Sequence, residues 1–263
     1  MPKIKILIFI SIIIINTASC AVFSRTDGFK MLKIKHTVLM YPELGSRSPK
    51  LKFEAVLPRP STIEQNTLFA KSLYNGLDCA DYAGKSFNNV KNKYFDAKPV
   101  GETIVESAGL NWEYVESYSA RSYGDIVVME RKRFIFSGGA HPENEKEYFV
   151  FNIKSNRQLH LENIIPQKNH AELRRALIDA VKLKYKNSNS EINGVYVPSE
   201  NFFVTPQGLG FAWTSYSIAP GYFGIIEVEL GWNELKDILS GEGRSLAGTL
   251  RSSRQTQKIT ASR

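Results

Sequence analysis

Apolar and polar positions change their spacing several times along this chain, and each change marks an element. Between Phe29 and Met40, the apolar Met31, Ile34 and Val38 fall among Lys33, Lys35 and Thr37, which predicts a strand. Leu51 to Leu57 predicts another, closed by the breaker Pro58-Arg59-Pro60. Ser61-x-x-Glu64 has the form of a capping box, so a helix is expected from Thr62 to about Asn75. Its buried face would hold Ile63, Leu68, Phe69, Ala70 and Leu73. Ala83, Phe87, Val90 and Tyr94, three and four apart, predict a second helix over Ala80 to Tyr94.

From Trp112 the period becomes two. Trp112, Tyr114, Glu116 and Tyr118 share one face of a strand, and Ile126 to Arg133 continues as the next. Tyr148 to Ile153 and Gln158 to Leu161 read as a hairpin around Lys154-Ser155-Asn156-Arg157. Asn169 is expected to cap a helix reaching Tyr185, with Leu173, Leu177 and Ala180 along it. Phe202–Val204 and Leu209–Thr214 flank Thr205-Pro206-Gln207-Gly208, a turn in which glycine would supply positive φ. Tyr222 to Leu230 predicts a late strand, and Trp232 to Leu239 a short closing helix ended by Gly241. The pattern is α+β: a mostly antiparallel, twisted sheet with helices packed on it. It would form one compact unit or two intimately packed subdomains, 29–104 and 105–240.

The leader stands apart. Lys3 and Lys5 precede the apolar run Ile6 to Ile15, broken only by Ser11. A bilayer span needs about 20 apolar residues, so residues 1–19 read as a signal peptide. Thr17-Ala18-Ser19-Cys20 resembles a bacterial lipobox, which would make Cys20 the acylated N-terminus and 20–28 a tether. An acyl anchor gains ~0.8 kcal/mol per buried CH₂. Export to the cell envelope is then expected, lipid-anchored to a membrane or periplasmic. With Cys20 acylated, Cys79 is the remaining thiol and reads as a small buried hydrophobe; with Cys20 free, a Cys20–Cys79 disulfide is conceivable. No Cys/His spacing calls for a metal, and no cofactor is expected.

Charge changes the picture only when divided. The net charge of +8 splits into +2 for residues 1–20, +6 for 21–100, −4 for 101–240 and +4 for 241–263. A nucleic-acid binder concentrates basic residues on its main folded face, so nucleic acid is not an expected partner. Residues 241–263, with few apolar side chains, are expected to be a disordered basic tail.

Two peptides carry the candidate chemistry. Phe134-Ile-Phe-Ser-Gly138-Gly139-Ala140-His141-Pro142 runs a strand into two glycines, a histidine and a proline. The second runs from Gly208 through Tyr216-Ser-Ile218-Ala219-Pro220 to Gly224. Together with Phe149-x-Phe-Asn-Ile-Lys-Ser-Asn-Arg-Gln-Leu and Glu234-Leu235-Lys236, they resemble the RsiV-like family, named for the extracellular domain of a lysozyme-sensing anti-sigma factor. The resemblance covers residues 105–240. It implies an envelope domain that binds without catalysis, with lysozyme or a peptidoglycan-related ligand as partner. Gly138, Gly139, His141, Pro142, Tyr216, Ala219 and Pro220 would form its ligand surface. No second hydrophobic segment is seen, so the chain is expected to be the sensing module without a portion that grips a sigma factor.

Blander readings stand beside these. The glycines can serve a sharp turn, His141 can be a hydrogen-bonded structural residue, and Ile218 can be core. Trp112, Tyr114 and Tyr118 read as sheet packing, and Glu143, Glu145 and Glu147 as a solvated loop. The competing functions are a peptidoglycan-active hydrolase pairing His141 with Glu143 or Asp125, and a structural envelope lipoprotein.

Overall fold

The computed structural model describes residues 25–26, 29–41, 45, 48–95, 111–138, 141–185, 192 and 199–261, the first pair and 254–261 as backbone alone. The signal peptide, Cys20, Gly139 and Ala140 lie outside the described residues.

Seven strands form one sheet in chain order: β1 (Arg25–Thr26), β2 (Phe29–Leu39), β3 (Lys50–Arg59), β4 (Trp112–Tyr123), β5 (Ile126–Phe136), β6 (Glu143–Asn152) and β7 (Arg157–Leu159). Every neighbouring pair is antiparallel except β3 and β4, which run parallel from Leu51↔Trp112 to Val56↔Ser117. A parallel pair needs a crossover, and the chain between them carries α1 (Ile63–Ser72) and α2 (Cys79–Val90), then a π-turn over Lys91–Phe95. The boundary expected near residue 104 lies outside the described residues, and strands from either side of it, β3 and β4, pair in one sheet. A second sheet, β8 (Phe202–Val204), β9 (Gly208–Trp213) and β10 (Ile226–Gly231), is antiparallel with β9 in the middle. The architecture is α+β, as the periodicity predicts.

Alternation on β5 explains the layering. Val127 and Met129 point into a core with Phe53, Phe69, Tyr114 and Phe151 under α1 and α2. Ile126 and Val128 point the other way, into a core with Val150, Phe211, Val228 and Trp232. The sheet thus lies between two apolar layers, each large buried side chain stabilising by about 1.5–3 kcal/mol. Helix α3 (Leu161–Ile164) and α4 (His170–Lys184) belong to the second layer. Leu173, Leu177 and Val181, at fourfold spacing, form the buried face of α4.

Local chemistry departs from expectation at several ends. Thr62, not Ser61, caps α1: its Oγ1 accepts from the Gln65 N–H at 3.1 Å, and the Gln65 side chain accepts from the Ser61 N–H at 2.9 Å. Asn169 does not cap α4 with its side chain; its Nδ2 donates to the Ile238 carbonyl at 2.8 Å. Gly208 has no positive φ. An added Cβ there would stand 2.1 Å from the Leu230 carbonyl, so the glycine permits close approach of β10.

The tail is the largest correction. Residues 232–239 form successive turns, and Gly241 begins α5 (Gly241–Ala261) rather than ending a helix. Ser240 caps it, its Oγ accepting from the Gly243 N–H at 2.8 Å while its own N–H donates to the Ile164 carbonyl at 2.8 Å. Leu246, Ala247 and Leu250 are buried in the second core, and Arg157 pairs with Glu242. Three apolar residues at helical spacing suffice to order residues 241–250, although the segment's mean composition is polar.

Candidate ligand-binding surface

The Tyr216–Pro220 peptide lies in the connection from β9 to β10, and its backbone is fixed from several sides. The Ser217 N–H and Oγ both bond the Thr214 carbonyl, at 3.2 and 2.6 Å. Tyr216 takes φ +67°, a left-handed conformation that costs a non-glycine residue energy and persists only where the surroundings impose it. Its ring lies over the Cα of Gly221, where a Cβ would meet Tyr216 Cζ at 2.0 Å. Ile218 is buried in the second core, as expected, and Ala219 packs against that core's edge.

Pro220 opens a 3₁₀ turn over Gly221–Phe223, for which its fixed φ is suited. The turn closes through Gly224, at φ +64°. Phe223 meets Tyr185 edge-on at 6.4 Å and Tyr222 at 4.7 Å, tying the turn to the end of α4. Two large side chains remain turned outward: Tyr216 is 64% exposed and Tyr222 is 72% exposed. Tyr222 was not among the expected binding residues. Its position opening a strand run made it read as sheet, whereas the strand starts only at Ile226.

Gly138, His141 and Pro142 lie between β5 and β6. Gly138 has φ +84°, the conformation expected of a glycine turn. His141 is exposed and has no hydrogen-bond partner among the described residues. Asp125 sits in the turn at the opposite end of β5, eleven strand residues away. At about 3.3 Å per residue it cannot serve His141 as a catalytic partner. Among the described residues, no hydrogen bond, ion pair or ring contact joins the His141 turn to the Tyr216 loop.

Glu145 and Glu147 are not a solvated loop. They lie on β6 opposite Arg133 and Arg131 and form a half-buried ion network on the first core's edge. Arg131 binds Glu147 through Nε at 2.6 Å and again through Nη2; Arg133 reaches Glu147 at 2.7 Å and Glu145 at 2.9 Å. Burial alone would raise the Glu147 carboxyl pKa, but Arg131 and Arg133 outweigh it and hold it below its ordinary value. The tyrosines of β4 join this network as packing. Tyr114 stacks on Phe53 at 5.3 Å and donates to Glu116, which is only 3% exposed. Burial pushes the Tyr82 phenol up to about 12, with Glu116 adding to the shift. The alternation of Arg131/Arg133 with Glu145/Glu147 was present in the sequence; only the register makes it a network.

The two sheets are joined by a second polar cluster. The Tyr148 hydroxyl lies 2.9 Å from Glu130 and 2.8 Å from Glu227, and Lys146 reaches Glu227 at 3.0 Å. Asn201 bridges them through backbone, accepting from the Tyr148 N–H and donating to the Lys146 and Ala212 carbonyls. Phe203 packs at a tilt against Tyr148, ring centres 4.6 Å apart, and covers Gly210. These contacts fix the sheet that carries the tyrosine loop.

No curated protein matches the chain. Two similar solved structures are a DUF3298-family protein from Bacteroides fragilis and one from Pseudomonas aeruginosa PAO1. The first is 18% identical, with a TM-score of 0.67, covering 89% of this chain and 99% of its own. The second is 15% identical, with a TM-score of 0.56, covering 82% of this chain and 97% of its own. At these identities the likeness is one of fold. Residues 150–233, which include the whole Tyr216–Gly224 loop, match the model of DUF3298, described as a protein of unknown function.

Proposed function

We propose that this protein is a cell-envelope binding lipoprotein that docks lysozyme or a peptidoglycan-related ligand on its Thr214–Gly224 loop, without catalysis. The observation that carries this reading is the pair of outward tyrosines, Tyr216 and Tyr222, on a backbone already fixed by a left-handed residue, a 3₁₀ turn and buried Ile218. Exposed aromatics on a preorganised loop contribute large contact area at low entropic cost, the usual composition of binding hot spots. The charge of −4 over residues 101–240 favours a cationic protein partner by steering its approach. Export and the lipid on Cys20 belong to the same proposal, as do supporting contacts from Gly138, His141 and Pro142.

Calorimetric titration with lysozyme over a salt series tests it. Tyr222→Ala is expected to weaken binding about 30-fold, the equivalent of a 2 kcal/mol hot spot. No heat and no co-elution with lysozyme would remove that partner, and peptidoglycan fragments would then be titrated in its place. Turnover of a wall fragment that vanishes in His141→Ala would instead establish the hydrolase.

A further inference from the structure

Strand β10 is an edge of the three-stranded sheet, and its free side is only partly closed. The Lys184 ammonium donates to the Glu227 carbonyl at 2.6 Å, and the Gly231 carbonyl accepts from the Glu234 and Leu235 amides. Both carbonyls therefore point outward. Glu229 lies two residues from each, so its N–H and C=O point the same way. Neither has a partner among the described residues.

Beside Glu229 lies a groove of about 570 Å³ between β10 and α4. Ala176, Ala180 and Leu183, the last 69% exposed, line it on the α4 side. Asp179 and Glu234 supply carboxylates at its rim, the Lys184 ammonium sits on the outward Glu227 carbonyl, and the Glu229 carboxylate is turned away across β9 to accept from the Thr205 hydroxyl. An open strand edge next to a shallow apolar trough is the arrangement that accepts an added strand.

We infer that the β10–α4 groove binds an extended, basic segment of another protein as an additional strand, paired through the Glu229 backbone. The alternating side chains of such a segment divide the work. One set enters the trough over Ala176 and Ala180, and the other carries Lys or Arg to the carboxylates. Charge also argues against a second copy of this chain. Antiparallel pairing of β10 with itself about Glu229 would bring carboxylates of like sign into opposition, which is destabilising.

The test uses the ¹⁵N-labelled full chain and a capped hexapeptide of alternating lysine and valine. Saturable shifts are expected at the Val228, Glu229 and Leu230 amides. The same peptide with alternate amides N-methylated should bind at least tenfold more weakly, and an alternating glutamate–valine peptide should not saturate. Ala180→Trp, which fills the trough, should also weaken binding at least tenfold. Should that variant misfold, Asp179→Lys on the exposed face of α4 should shift the preference toward the acidic peptide. Equal binding of the acidic and basic peptides, undiminished binding after N-methylation, or shifts confined to other strands would each overturn the inference. A dimer joined through β10 in sedimentation would overturn it in favour of self-association.

Discussion

Two glycines of α5, five residues apart, should respond in opposite directions to the same methyl group. At Gly243 an added Cβ would stand 2.4 Å from the Ile164 carbonyl oxygen and 3.1 Å from its carbon. That carbonyl already holds the Ser240 N–H, so the obstacle is backbone and cannot swing aside. Overpacking of this kind costs about 1–3 kcal/mol, less the fraction of a kilocalorie that alanine gains in a helix. At Gly248 nothing lies within 4 Å, and the residue is exposed and helical. Gly248→Ala should therefore stabilise by about 0.4–1 kcal/mol. Urea unfolding of the wild type and both variants, fitted with a common slope, measures the two signs. In a protein of this size 1 kcal/mol corresponds to a shift of about 2–4 °C in Tm, so thermal melts provide a check. If neither substitution moves the midpoint, residues 241–250 are not docked as a helix and the argument for this segment is wrong. Stabilisation by Gly243→Ala would refute the close approach to Ile164 specifically.

Arg131→Met should cost about 1–3 kcal/mol in urea unfolding, because the one-third-exposed Glu147 would lose one of its two guanidinium partners and keep Arg133; a loss below about 0.5 kcal/mol would mean the pair is solvated. The carboxyls of Glu54, Glu130 and Glu147 would each be raised by burial, yet are held below 4.5 by Lys33 and Lys35, by Lys132 with Tyr148, and by Arg131 and Arg133. A lowered folded-state pKa contributes stability that is present above the unfolded value and lost as pH falls through the folded one. The urea midpoint should thus decline steadily below about pH 4.5, and a midpoint that holds or rises there would contradict the ion networks. Burial pushes the Cys79 thiol up, against opposing pulls from Tyr74 and Arg59, and its sulfur lies 3.9 Å from the Pro58 carbonyl. In a Cys20→Ala background, iodoacetamide should label Cys79 only after unfolding, as read by intact mass; rapid native labelling would place the thiol at the surface.

The sequence by itself determined the elements whose side chains repeat. Twofold alternation marked β4, the apolar runs from Ile126 and Tyr148 marked β5 and the second half of β6, fourfold spacing of Leu173 and Leu177 marked α4, and the Tyr216–Pro220 peptide was legible as a corner with Ile218 inside. These follow from periodicity, which is a local property and needs no knowledge of neighbours. What the sequence could not determine depended on register and on what lies across a gap. Residues 241–250 have a polar composition and become ordered only because Leu246 and Leu250 meet the second core. Glu145 and Glu147 read as a solvated run until strand pairing sets them against Arg133 and Arg131. Gly208 looked like a residue needing positive φ, but tertiary contact with Leu230 decided its role as a close-approach site. The outward turn of Tyr222 likewise required the strand to begin at Ile226, four residues later than the apolar run suggested. Long-range partners decide these positions because the energy of a buried charge or a tight contact belongs to the pair, and one member of a pair carries no record of the other.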